Sequence, residues 1–337
     1  MLDLKAVEDY LAPRIDGFKG PVTAEKTATG QSNPTFILTA PSGKYVLRRK
    51  PEGSLLKSAH AVDREFRVMS ALADSAVPVP ETYFLCDDEA VIGSMFFIMS
   101  HVAGHSYTDP RLPDCAVEQR RRIYDSMNAG LAALHSVDIA AAGLADYGPP
   151  GNYFARQISR WTKQYRASET ETLPDMDALI DWLDNNIPPE SATPRLVHGD
   201  WRIDNLLFDD AGNLVAVLDW ELSTLGDPLA DLGAQLMQWA MPVGPEGRGL
   251  DGVGRKALGI PENKAYIDLY ARRAGLADTP DMTFPVAFSF FRMAAILQGV
   301  KKRALDGNAS NIEQGLRLGS FVGLFARKGL EALSAGS

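Results

Sequence analysis

Apolar and polar residues alternate at every second position through much of the first hundred residues, and recur at every third or fourth through most of the remainder. "VTAEKTAT" (22–29), "TFILTA" (35–40) and "YVLRRK" (45–50) read as strands separated by the turns "GQSNP" and "PSGK", which predicts a β-meander. Residues 59–74, "AHAVDREFRVMSALAD", set Val62, Phe66, Met69 and Leu72 at helical spacing before "VPVP" stops the helix. Strands resume with "ETYFLCDD" and "MFFIMSHV", and the leading "MLDLKAVEDYLAPRI" has the pattern of an amphipathic helix.

After "AGH" at 103–105 the period changes. "QRRRIYDSMNAGLAALHSV" aligns Ile123, Met127, Leu131 and Leu134, and further helices are expected from 153 and over "DMDALIDWLDNN", the latter ending before Pro188 and Pro189. Strands return in "RLVHGD" and in "NLLFDDAGNLVAVLDW", a hairpin turning at "DDAGN"; beyond about 228 the chain reads as helical. This predicts an α+β chain of two lobes: residues 1–101, small and β-rich with one helix, and 102–337, larger and mainly helical with an insertion at about 150–190.

Length agrees with two lobes, since 337 residues exceed the size at which one core usually keeps growing. The 45% hydrophobic and 23% charged content is that of an ordinary soluble globular protein. With 34 basic and 43 acidic residues the net charge is −9, and the basic runs at 48–50, 120–122 and 301–303 are short and separated, so no nucleic-acid partner is expected. No apolar run approaches the length of a membrane span, and the N-terminus lacks the uncharged core of a signal peptide; no membrane partner and a cytoplasmic location are expected. Cys86 and Cys115 lack metal-ligand spacing and suggest no disulfide framework.

The candidate chemistry lies in "HGDWRIDN" (198–205) and in "AVLDWE", where an apolar strand ends in Asp219 and Glu221. Asp200, Asp204 or Asn205 alone would read as a turn or cap residue. As a set, Asp200, Asn205 five residues on and Asp219 beyond a short hairpin bring three oxygen-bearing side chains to one rim. Hard cations such as Mg²⁺ take oxygen ligands and need only one or two from protein, a demand that Asn205 and Asp219 fit.

This spacing resembles the catalytic and metal-binding segments of protein-kinase-like enzymes. The "HGD" form, with "LDWE" and "GDPLADL" (226–232), resembles the aminoglycoside phosphotransferase family, and within it the kinase-like domains related to those fused to acyl-CoA dehydrogenases. "TATGQSNPTFIL" resembles that family's nucleotide-positioning loop, in which Ser32 and Asn33 would offer donors to phosphate. "YVLRRK" resembles the strand supplying the phosphate-pairing cation, and "DREFRVMSAL" the helix that follows it, whose Glu is Glu65. "FFIMSHVAGH" resembles the strand and hinge that hold adenine, through backbone atoms of Ser100 and Val102. The likeness covers roughly residues 20–235. It departs from the kinase pattern in placing Arg where a Lys is usual; alternation from Val46 favours Arg48, with Arg49 on the other face and Lys50 also open.

The resemblance implies a bilobal protein-kinase-like fold and ATP-dependent, Mg²⁺-assisted transfer of the γ-phosphate to a hydroxyl of a small metabolite; GTP remains open as donor. Asp200 would orient the hydroxyl and take its proton late, and Arg202 would neutralise the γ-phosphate. Arg48, steadied by Glu65, would pair with the α- and β-phosphates, while Asn205 and Asp219 would hold the metal. His198 and Asp231 would organise the catalytic loop, and His101, His105 and His135 would be structural. A hydroxyacyl-CoA is the first acceptor class implied, with aminoglycosides, other amino alcohols and sugars as alternatives. A nucleotide or acyl-CoA sensor with a kinase fold and no turnover is the alternative of another class. The stripes at 153–165 and 284–300 read either as core or as the wall of a larger apolar acceptor site, and monomer and homodimer are both left open.

Overall fold

A computed structural model describes residues 2–27, 33–51, 61–149, 151–189, 193–244, 248–309 and 311–335. Helix α1 (Leu4–Leu11) starts where the Asp3 carboxylate accepts a hydrogen bond from the Ala6 N–H, an N-cap. It covers one face of an antiparallel sheet formed by β1 (Thr23–Lys26), β2 (Thr35–Ala40), β3 (Gly43–Arg49), β4 (Thr82–Cys86) and β5 (Phe96–Ser100), in the order β1-β2-β3-β5-β4. Helix α2 (Val62–Leu72), between β3 and β4 in sequence, covers the opposite face.

The two faces follow from strand alternation. Leu38, Tyr45, Leu47, Phe96 and Ile98 pack with Val7 and Leu11 of α1. Val46, Phe97 and Met99 pack with Val68, Met69 and Leu72 on the α2 side. Consecutive residues of β3 therefore serve different cores, and Arg48 and Arg49 diverge to opposite faces.

The strand-rich part ends at Ser100. Beyond it come α3 (Val117–His135), α4 (Tyr153–Ser168), α5 (Pro174–Asn185), β6 (Arg195–Val197), β7 (Leu206–Phe208), β8 (Leu214–Val217) and β9 (Thr224–Gly226). These are followed by α6 (Leu229–Trp239), α7 (Arg255–Leu258), α8 (Asn263–Arg273), α9 (Thr283–Leu305), α10 (Ile312–Gly319) and α11 (Val322–Ala335). The chain thus has a bilobal α+β fold. Ile123, Met127, Leu131 and Leu134 of α3 are all buried, in a core that runs from beneath the sheet through Trp201, Trp220 and Trp239. A second core joins α4, α5, α9 and α11 through Phe154, Ile158, Leu179, Leu183, Phe288 and Phe291, each side chain contributing about 1.5–3 kcal/mol by its burial.

Helix α9 has the length and apolar content of a membrane span, yet its phenylalanines are largely consumed by this second core. Most of the 153–165 and 284–300 stripes are likewise core. Ser289, Arg292, Met293 and Leu297 are the part of α9 that lines a cavity.

The segment around 198 differs from its expected form. β6 stops at Val197 instead of continuing through Asp200, because Gly199 takes φ +81°, outside the strand region. A Cβ at Gly199 would also stand 2.5 Å from the Leu222 carbonyl oxygen, so both conformation and space require glycine. β6 pairs antiparallel with β9, a strand of only three residues that the sequence pattern did not disclose. The β7–β8 hairpin forms where "DDAGN" predicted it: the Asp209 carboxylate accepts from the Ala211 and Asn213 N–H groups and from the Asn213 amide. Cys86 and Cys115 are both buried and free.

Candidate active site

The turn from β6 to β7 carries Asp200, and Asp231 of α6 holds that turn from below. One Asp231 oxygen accepts from the His198 N–H at 2.6 Å and the other from the Gly199 N–H at 2.8 Å. His135 Nε2 lies 3.2 Å from the same carboxylate, and its Nδ1 lies 2.7 Å from the Tyr270 hydroxyl. Burial pushes the Asp231 carboxyl up, but these donors and the nearby His198 outweigh it and leave its pKa below the ordinary value. The His198 ring bridges within the turn: Nε2 donates to the Leu218 carbonyl at 2.9 Å, and Nδ1 accepts from the Asp200 N–H at 3.2 Å. That pattern uses one ring nitrogen as donor and the other as acceptor, so it suits the neutral imidazole and a structural role.

Asp200 is partly exposed and has two neighbours. Asn205 Nδ2 donates to its carboxylate at 3.0 Å and to its backbone carbonyl at 2.8 Å; with two acceptors orienting that nitrogen, Oδ1 points elsewhere. Arg202 Nε is 3.1 Å from the other Asp200 oxygen, and Arg202 Nη2 is 3.5 Å from Asp204, which also binds Arg248 Nη1 at 2.9 Å.

Asp219 follows β8 and takes φ +63°, a left-handed conformation that costs a non-glycine residue about 1 kcal/mol or more and that recurs where a side chain must be aimed. Its Oδ1 lies 2.6 Å from Arg48 Nη2. Arg48 in turn meets Glu65 through Nε at 2.6 Å and Nη2 at 2.9 Å, and Glu221 stands 3.9 Å away. Ligand oxygens of Glu65, Asp219 and Glu221 all lie within 4.8 Å of one another. Burial, opposed by Arg48 and reinforced by Asp219 and Glu221, pushes the Glu65 carboxyl up to about 7. Desolvation lowers the Arg48 pKa, yet the carboxylates prevail and hold it above its ordinary value.

Arg48, Glu65, Asp200, Arg202, Asn205 and Asp219 thus gather around the Asp200 turn and the adjoining lobe junction. Arg49 does not: its guanidinium donates to the Ile92 carbonyl at 3.3 Å on the α1 face. Asn33 is fully buried, and its amide donates to Glu65 at 3.2 Å, so it supports the Arg48 partner. Ser32 lies outside the described residues. Ser100 also differs in part, since its N–H donates to the Glu81 carbonyl and its hydroxyl accepts from the Glu81 N–H. Val102, two residues on, is half-buried.

Glu221 was visible in "LDWE" but carried no assigned role. Arg248, Arg292 and Arg317 had no signal, being single arginines in the helical tail. They line a cavity of about 470 Å³ with Asp200 and Arg202 on one wall and Met237, Met241, Met293, Phe321 and Phe325 among the apolar remainder. Arg292 also donates a short hydrogen bond to the Gly199 carbonyl, directly before Asp200.

Two lobes with a carboxylate-bearing turn at their junction define the kinase-like class of phosphotransferase folds. A thermostable mutant of aminoglycoside phosphotransferase APH(4)-Ia, solved with ADP and hygromycin B, shares this fold with a TM-score of 0.64 at 17% identity over 97% of this chain. Residues 23–268 match the phosphotransferase enzyme family, and the chain belongs to it. A crystal structure from Ralstonia eutropha JMP134, provisionally described as an aminoglycoside phosphotransferase, is 47% identical and has a TM-score of 0.90 over 99% of both chains. Acyl-CoA dehydrogenase family member 10 of Mus musculus is 45% identical over 309 residues, 91% of this chain and 29% of that protein. Acyl-CoA dehydrogenase family member 11 of Gallus gallus is 41% identical over 337 residues, 98% of this chain and 43% of that protein. The chain spans less than half the length of these curated relatives.

Proposed function

We propose that this protein is an ATP-dependent kinase of a hydroxylated small molecule that carries negative charge and an apolar body, as a hydroxyacyl-CoA does. The carrying observation is the cavity against Asp200: among the described residues it is lined by four arginines and one carboxylate, with methionine and phenylalanine around them. A polycationic aminoglycoside would meet like charge there, which disfavours it.

Asp200 accepts the acceptor hydroxyl and takes its proton as the new bond to phosphorus forms. Arg202, between Asp200 and Asp204, is placed to move onto the transferred phosphoryl oxygens. Arg48 holds the donor's phosphates from the sheet side, with Glu65 and Asn33 fixing its direction, and the carbonyl of Ser100 and the backbone of Val102 meet the base. The donor set suits Mg²⁺: Asp219 and Asn205 Oδ1 would hold it, with Glu221 within reach, all oxygen ligands. When bound, the ion neutralises phosphate charge and fixes the donor's orientation.

The test is ATP consumption by the purified protein with Mg²⁺ across a panel of hydroxyacyl-CoAs, hydroxy acids, sugars and aminoglycosides. Turnover confined to anionic acceptors is expected. Turnover with aminoglycosides alone would remove the acceptor reading, and nucleotide binding without consumption on any compound would favour a sensor.

A further inference from the structure

Helix α2 carries Glu65, and the 3₁₀ turn at Trp220–Leu222 is flanked by Asp219 and contains Glu221; the Arg48 cluster exists only if these two carriers keep a fixed separation. Tyr147, outside the cluster, bonds to α2 and to the segment that follows this turn. Tyr147, 1% exposed, lies in the loop that follows α3. Its hydroxyl lies 3.2 Å from the Arg64 carbonyl on α2 and 2.7 Å from Ser223 Oγ, which is 2.5 Å from the Trp220 carbonyl, so two hydroxyl protons serve three contacts that link α2 to the turn. The contact with α2 is reciprocal. Arg64 Nη2 donates to the Tyr147 carbonyl at 2.7 Å, and its guanidinium stacks on the Tyr147 ring, 4.2 Å from the centroid. One turn further along α2, Arg67 donates to the Gly143 carbonyl at 2.9 Å and pairs with Asp146.

We propose that Tyr147 and Arg64 are positioning residues that brace α2 against the 220–223 turn and so hold Glu65, Arg48 and Asp219 in register for the donor nucleotide. Arg64 immediately precedes Glu65, and Tyr147 reaches Trp220, next to Asp219, through two successive contacts by way of Ser223. Hydrogen bonds running both ways between the same two residues resist sliding as well as separation. The brace spans the lobes, because α2 packs on the sheet while Tyr147 packs in the core beneath it. The nucleotide role rests on the kinase reading above; the brace itself rests on contacts that need no ligand.

The experiment pairs Mg·ATP binding, measured by calorimetry, with hydrogen exchange of the α2 amides in ligand-free protein. The variants are Tyr147→Phe, which deletes one hydroxyl, Arg64→Met, which keeps the aliphatic stem, and Tyr124→Phe as control. Tyr124 is a buried tyrosine of α3 whose hydroxyl donates to the Pro110 carbonyl. Loss of one bracing hydrogen bond is expected to weaken Mg·ATP binding roughly fivefold in each bracing variant and not in the control. In a Glu65→Gln background, Tyr147→Phe should add little, because the brace acts through Glu65. Amides of α2 should exchange faster in both bracing variants. Wild-type binding in both variants, equal weakening in the control, or full additivity with Glu65→Gln would overturn the positioning role. If the wild type binds no Mg·ATP, the kinase reading fails, and unchanged α2 exchange would then dispose of the brace separately.

Discussion

The two sides of the 198–205 turn are charged in opposite senses. On the sheet side, one arginine, Arg48, is held among three carboxylates. On the helical side, four arginines and the Asp200 carboxylate line the cavity, with Asp204 paired to Arg202 and Arg248 behind it. Both arrangements are costly if left uncompensated, since clustered like charges repel most where water is excluded. On the reading proposed above, the first side, with more carboxylates than cations, would take a metal with a polyphosphate, and the second, whose cavity is lined by more guanidinium groups than carboxylates, would take an anion. A kinase for a cationic acceptor would be expected to show acid on both sides.

The largest effect expected from breaking this division is at its centre. Asp200→Ala should lower turnover on the order of 10³-fold with little change in melting temperature, since the side chain is partly exposed and its loss leaves the Asp231 anchor in place. Asp219→Ala should match it in turnover and should also abolish the Mg²⁺ dependence of nucleotide binding; retention of that dependence would move the metal to other residues. Next comes the paired arginine comparison. Arg48→Met should weaken Mg·ATP binding by about tenfold or more, while Arg49→Met should leave binding near wild type, and the reverse order would mean that the wrong face of β3 had been assigned.

A smaller effect tests the helical side alone. Arg248→Met should raise KM for an anionic acceptor about tenfold without altering the Kd of the nucleotide, and a fall in nucleotide affinity instead would show that the two sides are not independent. The smallest effect is in pH. Glu65 is held near 7 in the folded protein, against an ordinary 4.5, so the native state retains a proton that the unfolded chain releases. Its contribution to stability is therefore present below about pH 4.5 and lost as pH rises through about 7. Comparing melting curves of the wild type and Glu65→Gln from pH 5 to pH 8 isolates it: the wild type should lose ground to the variant as pH rises, and parallel curves would place the Glu65 pKa at its ordinary value.

The division was half legible in the sequence. Arg48, Glu65, Asp200, Asn205 and Asp219 could be picked out because each lies in a short segment that resembles the kinase-like pattern, with strand alternation choosing Arg48 over Arg49 and a hairpin end marking Asp219. The bond from Asn33 to Glu65 was not legible, because a polar residue in a turn reads as exposed, whereas the amide of this one turns inward. The arginines at 248, 292 and 317 were illegible. Their meeting depends on how α9, α10 and the loop after α6 pack, and no local period encodes that. Tyr147 was hidden for the same reason, since its partners lie 83 and 76 residues away along the chain.

The turn between β2 and β3 has a consequence for how this chain can vary. Only Pro41 and Ser42 separate the strands, Ala40 pairs directly with Gly43, and Gly43 takes φ +142°. Inserting or deleting one residue there, with the two-residue turn retained and the change taken up by the ladder, would shift the β2–β3 register by one and turn every side chain of β3 over, sending Arg49 toward Glu65 and Arg48 under α1. An engineer seeking to graft a tag or lengthen a loop should treat this two-residue hinge as closed to single insertions, because its length is the gauge that selects which of two neighbouring arginines meets the carboxylates.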